Sequence, residues 1–288
     1  MMSKKYVEFS QADVFTQVPF LGNPVAVIIE GDQFTDDQMQ RIANWTHLSE
    51  TTFICQPTNP EADYRLRIFT PHEELPFAGH PTIGSARVAL NHGVKPQHDG
   101  YLVQECKKGL VKIYLHDDQL AFALPEPQFL PVSDEIVQNA STAMGLTDFS
   151  KVKLAEMVDV GIKWLVMELD GPSTVLSLLT QDEALIKALP DDVVGVSVFA
   201  PRDDGADFEV RSFAPLEGAH EDPVCGSGNG AVVAVVKRHQ LVAGHHYIAN
   251  QGQMMGRQGV IAVDLDQDGQ ILVGGHAVEC IKGQIVRP

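Results

Sequence analysis

Four side chains of proton-carrying types stand among small or apolar neighbours in this sequence: Glu50 in "LSETTFI" (48–54), His80 in "FAGHPTIG" (77–84), and Asp222 and Cys225 in "HEDPVCGSGNG" (220–230). A carboxylate, an imidazole or a thiol so placed takes a proton from a substrate or returns it. Each also has a plain structural reading. Glu50 reads as a solvated strand edge, His80 as a satisfied core residue, Asp222 as a turn cap, and Cys225 as an inert buried thiol. The surroundings of two turns favour chemistry. His80 stands between Gly79 and Pro81 where an apolar run through Val88 and Leu90 begins, and Cys225 opens "CGSGNG" (225–230) ahead of "AVVAVVKRHQL". A helix apolar on nearly every face belongs inside its domain. Its first N–H groups are then left for a cap, water or a ligand, and its dipole favours negative charge. Gly79, Gly226 and Gly228 let a ligand approach that backbone closely, with Cys225 beside it. A helix N-terminus also lowers the pKa of a thiol placed on it, which keeps Cys225 a candidate. This field fits a carboxylate, or the enolate-like charge that develops as a proton leaves the carbon beside it.

Other chemistries lack their motifs. Neither turn reads G-x-G-x-x-G and no G-x-x-x-x-G-K-[ST] occurs, so no nucleotide is indicated. Ser227 invites a hydrolase reading, but G-x-S-x-G requires glycine where Cys225 stands. There is no H-E-x-x-H, and the 11 histidines show no ligand spacing. Neither a metal nor a cofactor is expected.

The elements that must hold these residues are written in caps and alternation. Thr35 with Gln38 predicts a capping box before Met39, Ile42 and Ala43. Thr180 with Glu183 predicts another, with Pro190 stopping that helix, and Ser133 precedes the acids Asp134 and Glu135 of a third first turn. Strands alternate in "DYRLRIF" (63–69), "VKIYL" (111–115) and "DFEVRSF" (207–213). The proline-rich "LPEPQFLP" (124–131) reads as a linker near the middle.

Around that midpoint the sequence repeats. Asp63, Arg67, Phe69, Pro71 and Glu73 match Asp207, Arg211, Phe213, Pro215 and Glu217 at a constant spacing of 144 residues (63 to 207). After a three-residue insertion Gly79 falls on Gly226, a spacing of 147 (79 to 226), and Ala78 falls on Cys225. The repeat predicts two similar domains, 1–124 and 128–276, with the closing "VECIKGQIVRP" returning as a strand to the first. Two such copies pack with a ligand cleft between them, so the two helix starts are expected to face one cleft.

Composition bounds the partners. A formal charge of −17 argues against nucleic acid or an anionic membrane surface, while 44 % hydrophobic residues allow a substantial core. No apolar stretch follows "MMSKKYVEFS" in the manner of a signal segment, and none approaches the roughly 20 residues of a membrane span. Four separated cysteines without C-x-x-C read as reduced thiols, so a cytoplasmic location is expected.

Taken in order, "DVFTQVPFLGNPVAVI" (13–28), "LSETTFI", "FAGHPTIG" and "EDPVCGSGN" (221–229) resemble the phenazine-biosynthesis PhzF family over nearly the whole chain. The resemblance implies an α+β fold of the diaminopimelate epimerase type: two pseudosymmetric domains, each a barrel-like mixed sheet around a central helix. It further implies a cofactor-independent isomerase acting on a small carboxylate-bearing substrate, commonly as a homodimer. Carried over by motif, Glu50 shuttles the proton while His80, Asp222 and Ser227 bind substrate and position protons. The sequence departs from the family at Cys225, where threonine is common, and Ala78 stands where epimerase relatives carry their other thiol. A symmetric two-thiol racemase is therefore excluded. An amino-acid or hydroxy-acid epimerase using Glu50 with Cys225 stays open, as does a binding protein without turnover.

Overall fold

Alternation sets the strands and continuous apolar runs set the two helices at their centre. In "YRLRIF" (64–69), Tyr64, Leu66 and Ile68 are buried while Arg65 and Arg67 are half-buried. The computed structural model describes residues 5–217, 219–265 and 270–287. Met1–Lys4, at the start of the N-terminal stretch read above, and Pro288 lie outside the described residues, as does the side chain of Glu217. The chain divides into two units, Met1–Phe122 with Gly274–Pro288, and Ala123–Val273.

The first unit opens with β1 (Tyr6–Val14), β2 (Asn23–Ile28), α1 (Asp36–Thr46), β3 (Thr51–Cys55), β4 (Tyr64–Phe69) and β5 (Glu74–Leu75). It continues through α2 (Gly79–Asn91), β6 (Tyr101–Cys106), β7 (Gly109–His116) and β8 (Gln119–Ala123). β1 pairs antiparallel with β2, β2 parallel with β3, and β3 antiparallel with β4. β4 then pairs antiparallel with β5 and parallel with β6, and β6 antiparallel with β7. α2 packs on β1, β2, β3 and β4, which makes it the helix the sheet wraps. Gly84 permits this approach: a Cβ there would lie 2.5 Å from Val25 Cγ1 and 2.9 Å from Val14 Cγ2. A second apolar cluster gathers under α1, where Met39, Ile42 and Ala43 meet Phe34, Phe53 and Phe69. The Thr35–Gln38 capping box that starts α1 is formed in both directions.

The second unit comprises β9 (Gln128–Leu130), α3 (Asp134–Ala143), β10 (Val152–Asp159), β11 (Lys163–Leu169), α4 (Pro172–Ser177), α5 (Asp182–Ala188) and β12 (Val193–Pro201). β13 (Phe208–Ala214), β14 (Ala219–Asp222), α6 (Gly226–Arg238), β15 (His246–Gln251), β16 (Gly259–Leu265) and β17 (Ile271–Gly275) follow, and β18 (Ala277–Val286) closes the chain in the first unit. From β10 onward the second unit repeats the order of the first, with two short helices, α4 and α5, where the first has α1. β10–β11 is antiparallel, β11–β12 parallel and β12–β13 antiparallel, the succession of β1 to β4. β13 again pairs antiparallel with its short neighbour β14 and parallel with β15. α6 packs on β10, β11, β12, β13 and β16 and is 13 residues long, as α2 is. Val232, Val233, Val235 and Val236 are buried along it, each contributing roughly 1.5–3 kcal/mol by leaving water. β18 pairs antiparallel with β1, and β9 with β10. Each unit is thus a barrel-like mixed sheet around one helix.

Two local expectations differ from the structure. Thr180 does not cap a helix: α5 starts at Asp182 with Gln181 at its N-cap and no side-chain cap bond. Backbone bonds from Leu179 N to Met144 O and from Gln181 N to Ala143 O hold this segment to the end of α3, and the Thr180 hydroxyl stays buried without a partner. The proline-rich stretch is not wholly a linker, because β9 forms where three residues keep their N–H groups between Pro127 and Pro131. Among the described residues, no helix is long and apolar enough to cross a membrane.

Candidate functional site

Glu50 is delivered by the end of α1. His47 adopts the left-handed conformation (φ 62°, ψ 22°) that turns the chain out of the helix, and Glu50 immediately precedes β3. A 2.6 Å hydroxyl bond between Thr46 and Thr51 ties the helix end to the strand. Parallel pairing of Ala26 with Thr51 then sets Glu50 beside the start of β2. His80 is the second residue of α2, whose N-cap Ala78 supplies no side-chain bond. Its Nε2 lies 3.3 Å from Glu50 Oε2, and its Nδ1 lies 3.4 Å from the Asn23 amide nitrogen.

The Glu50–His80 separation is within ion-pair reach, but the ring is only 5 % exposed. Burial pushes His80 down to about 3, and a hydrogen bond with the Pro24 backbone opposes this only in part. Burial wins, so the histidine is neutral at physiological pH. A carboxyl and a neutral imidazole in contact, at a helix mouth without a side-chain cap, can hold a proton and release it towards a bound anion.

The second set of residues stands in the other unit. Asp222 ends β14, and its Oδ1 accepts from Val224 N at 3.0 Å, closing the turn over Pro223. Asp222 keeps some accessible surface, yet the protein packed around it pushes its carboxyl up to about 6. Cys225 is the N-cap of α6: its Sγ accepts from Gly228 N at 3.2 Å and lies 3.6 Å from Ser227 Oγ. Ser227 is half-buried on the first turn of the helix, between the buried Gly226 and Gly228. Gly228 has no room for a side chain, since a Cβ there would lie 2.5 Å from Ser197 Oγ and 2.6 Å from Ser212 Oγ.

One electrostatic expectation is reversed at Cys225. The helix N-terminus was expected to lower its pKa, but burial, followed by the charge of Asp222, raises the thiol well above its ordinary value. At 4 % exposure the desolvation of a thiolate outweighs the dipole. The structure thus brings Glu50 together with His80 in the first unit, and Asp222, Cys225 and Ser227 together in the second.

Three residues around these turns carry no signal in the sequence reading. Asn23 holds the far side of the His80 ring. Gln251 and Asn229 bond to each other and to the Cys225 backbone. The repeat could have found the last two, since Gln104 and Thr82 occupy the corresponding places 147 residues earlier and also bond to each other (104 to 251, 82 to 229). Among the described residues, no group of three or more His, Cys, Asp or Glu is placed to hold a metal ion.

The sequence profile of the phenazine biosynthesis-like proteins, PhzC-PhzF, matches residues 12–283. Antisense-enhancing sequence 1 of Schizosaccharomyces pombe is 40 % identical, covering 96 % of this chain and 97 % of that protein. The trans-2,3-dihydro-3-hydroxyanthranilate isomerase of Pseudomonas aeruginosa is 33 % identical, covering 85 % of each. The crystal structure of a Bacillus anthracis PhzF-family protein superposes with a TM-score of 0.85 at 23 % identity, over 99 % of this chain and 100 % of that one. The chain therefore belongs to the PhzC-PhzF family of phenazine biosynthesis-like proteins and is an enzyme of the isomerase class.

Proposed function

We propose that this protein moves a proton on a small carboxylate-bearing substrate, without a cofactor, and that Glu50 is the acid and base that carries it. The observation that supports this most is the Glu50–His80 pair, a carboxyl 3.3 Å from a buried neutral imidazole at the mouth of α2. A protonated histidine there would hold Glu50 ionised; a neutral one lets the carboxyl gain and lose its proton during turnover. His80, Asp222 and Ser227 bind the substrate and position protons, with the first turn of α2 helping to orient it. Gly79 and Gly226 each leave the backbone of a helix start open to an approaching carboxylate, while Gly228, whose N–H is taken by Cys225 Sγ, and Cys225 itself are small lining residues. The reading includes a cytoplasmic location and a homodimer.

An epimerase using Glu50 and Cys225 is the weaker reading, because a thiol raised well above its ordinary pKa is poorly placed to work as a thiolate. The test is proton exchange with solvent. The protein is incubated in deuterated water with trans-2,3-dihydro-3-hydroxyanthranilate, the compound named for the Pseudomonas aeruginosa relative, and with a panel of cyclic and linear amino and hydroxy acids. Isomerisation with deuterium bound to carbon is expected for at least one compound. Binding without exchange across the whole panel would favour a ligand-binding protein.

A further inference from the structure

The turn that carries Asp222 and Cys225 is fastened from one side by a single buried amide. Gln251, the last residue of β15, is 1 % exposed. Its Oε1 accepts from Cys225 N at 3.1 Å and from Asn229 Nδ2 at 2.6 Å, while its Nε2 donates to Asp222 O at 2.8 Å. Both ends of the turn and the first turn of α6 therefore meet on one side chain. Asn229 adds a bond from its Nδ2 to Cys225 O at 2.9 Å.

The other half of the molecule supplies a contrast. Gln104, at the matching place in β6, is equally buried, but its Nε2 donates to Thr82 Oγ1 at 3.1 Å and its Oε1 accepts from Tyr64 Oη at 2.9 Å. Those bonds join strand to strand and strand to helix. In the second unit the corresponding amide is turned to the loop instead. Asn229, standing where Thr82 stands, donates to the Gln251 oxygen, so the nitrogen of that amide is left for the Asp222 carbonyl.

Resting on the reading that Asp222 and Ser227 serve the substrate, we propose that Gln251 is a positioning residue. It fixes the Asp222–Cys225 turn, and so sets where the Asp222 carboxyl and the Ser227 hydroxyl stand and keeps the Cys225 thiol packed away. Without the amide, the Cys225 N–H, the Asp222 carbonyl and the Asn229 amide lose their shared partner inside the protein. Buried groups in that state are disfavoured, and the turn opens to reach water.

The test reads Cys225 rather than turnover. Wild type, Gln251→Met, Gln104→Met and Val198→Ala, a core substitution in the second unit, are alkylated with iodoacetamide and the thiols are mapped by peptide mass. Each protein is held the same number of degrees below its own Tm, which removes differences in global stability. Cys225 in Gln251→Met is expected to react at least about tenfold faster than in either control protein, through local opening of the turn. A smaller ratio overturns the proposal. If Gln251→Met does not fold, amide exchange in the wild type decides. The Cys225 N–H is expected to exchange as slowly as the amides of β15, and exchange at the rate of an open loop overturns the assignment. Neither measurement needs a substrate, so a failure of the isomerase reading leaves this test intact.

Discussion

With its ring kept neutral by burial, His80 sets an uncharged imidazole 3.3 Å from the Glu50 carboxyl rather than a fixed cation. That distinction predicts a stability profile. The folded His80 titrates near 3 and the unfolded one near 6.5, so its contribution to stability is complete above 6.5 and is lost as pH falls towards 3. His80→Asn removes this loss. The stability gap between wild type and mutant should therefore shrink on acidification below 6.5, by up to about 1.4 kcal/mol per pH unit, as measured by urea midpoints. Asp222 acts with the opposite sign: its carboxyl, raised to about 6, contributes stability at low pH that is lost as pH rises through that value. A gap independent of pH between 6.5 and 4 would contradict a buried neutral ring. At Cys225, a thiol that stays protonated is expected to be dispensable, so Cys225→Thr should keep activity within about tenfold, or 1.4 kcal/mol in the barrier. Loss of 10²-fold or more in a folded mutant would give the thiol a part in proton transfer. The types of Glu50, His80 and Asp222 were legible because few residues carry protons. The direction of the Cys225 shift was not, because the sequence shows the helix start but not how dry it is. Asn23 was invisible for a related reason: a single amide announces nothing until the group it bonds is known, whereas Gln251 could be found only through its repeat counterpart Gln104.

Among the elements, the two central helices carry the most information. α6 was legible from its continuous apolar run, and the cost of its close packing can be estimated from Gly228. Alanine is favoured over glycine inside a helix by about 1 kcal/mol. Here the added Cβ would crowd Ser197 Oγ, Ser212 Oγ and Cys225 Sγ, whose nearest approaches are 2.5, 2.6 and 3.1 Å. The two serines already bond each other at 2.9 Å inside the unit, so they cannot yield freely. Overpacking of this kind costs about 1–3 kcal/mol, which exceeds the propensity gain. Gly228→Ala should thus lower the urea midpoint and disturb the Cys225 cap, and a more stable variant would show that the packing there is loose. Helix starts were readable wherever the cap was local, as at Thr35 and Ser133. Thr180 failed because bonds to the end of α3, distant in sequence, fix where α5 begins. β9 was hidden by its flanking prolines.

For the whole molecule, the repeat in the sequence corresponds to a repeat in strand pairing: antiparallel, parallel, antiparallel, then a short antiparallel neighbour and a parallel one. Matched residues such as Arg67 and Arg211 were legible as a pattern, yet their partners were not. Arg67 pairs with Glu74 and the buried Arg211 with Glu221, glutamates that correspond at the later spacing of 147 (74 to 221) rather than Glu73 and Glu217, which match at 144. The two halves differ where the chemistry is proposed. A glutamate–histidine pair marks one helix start, and an aspartate–cysteine–serine turn marks the other. With Glu50 as the proton carrier and the other proposed site residues contributing binding, removing the Glu50 carboxyl should separate turnover from affinity. The most direct measurement is carbon-bound deuterium formed by Glu50→Gln in deuterated water, on the compound the wild type isomerises, with binding followed in parallel by thermal shift. Exchange is expected to fall by about 10²–10⁴-fold with the ligand-induced rise in Tm preserved; exchange near the wild-type rate would contradict Glu50 as the proton carrier.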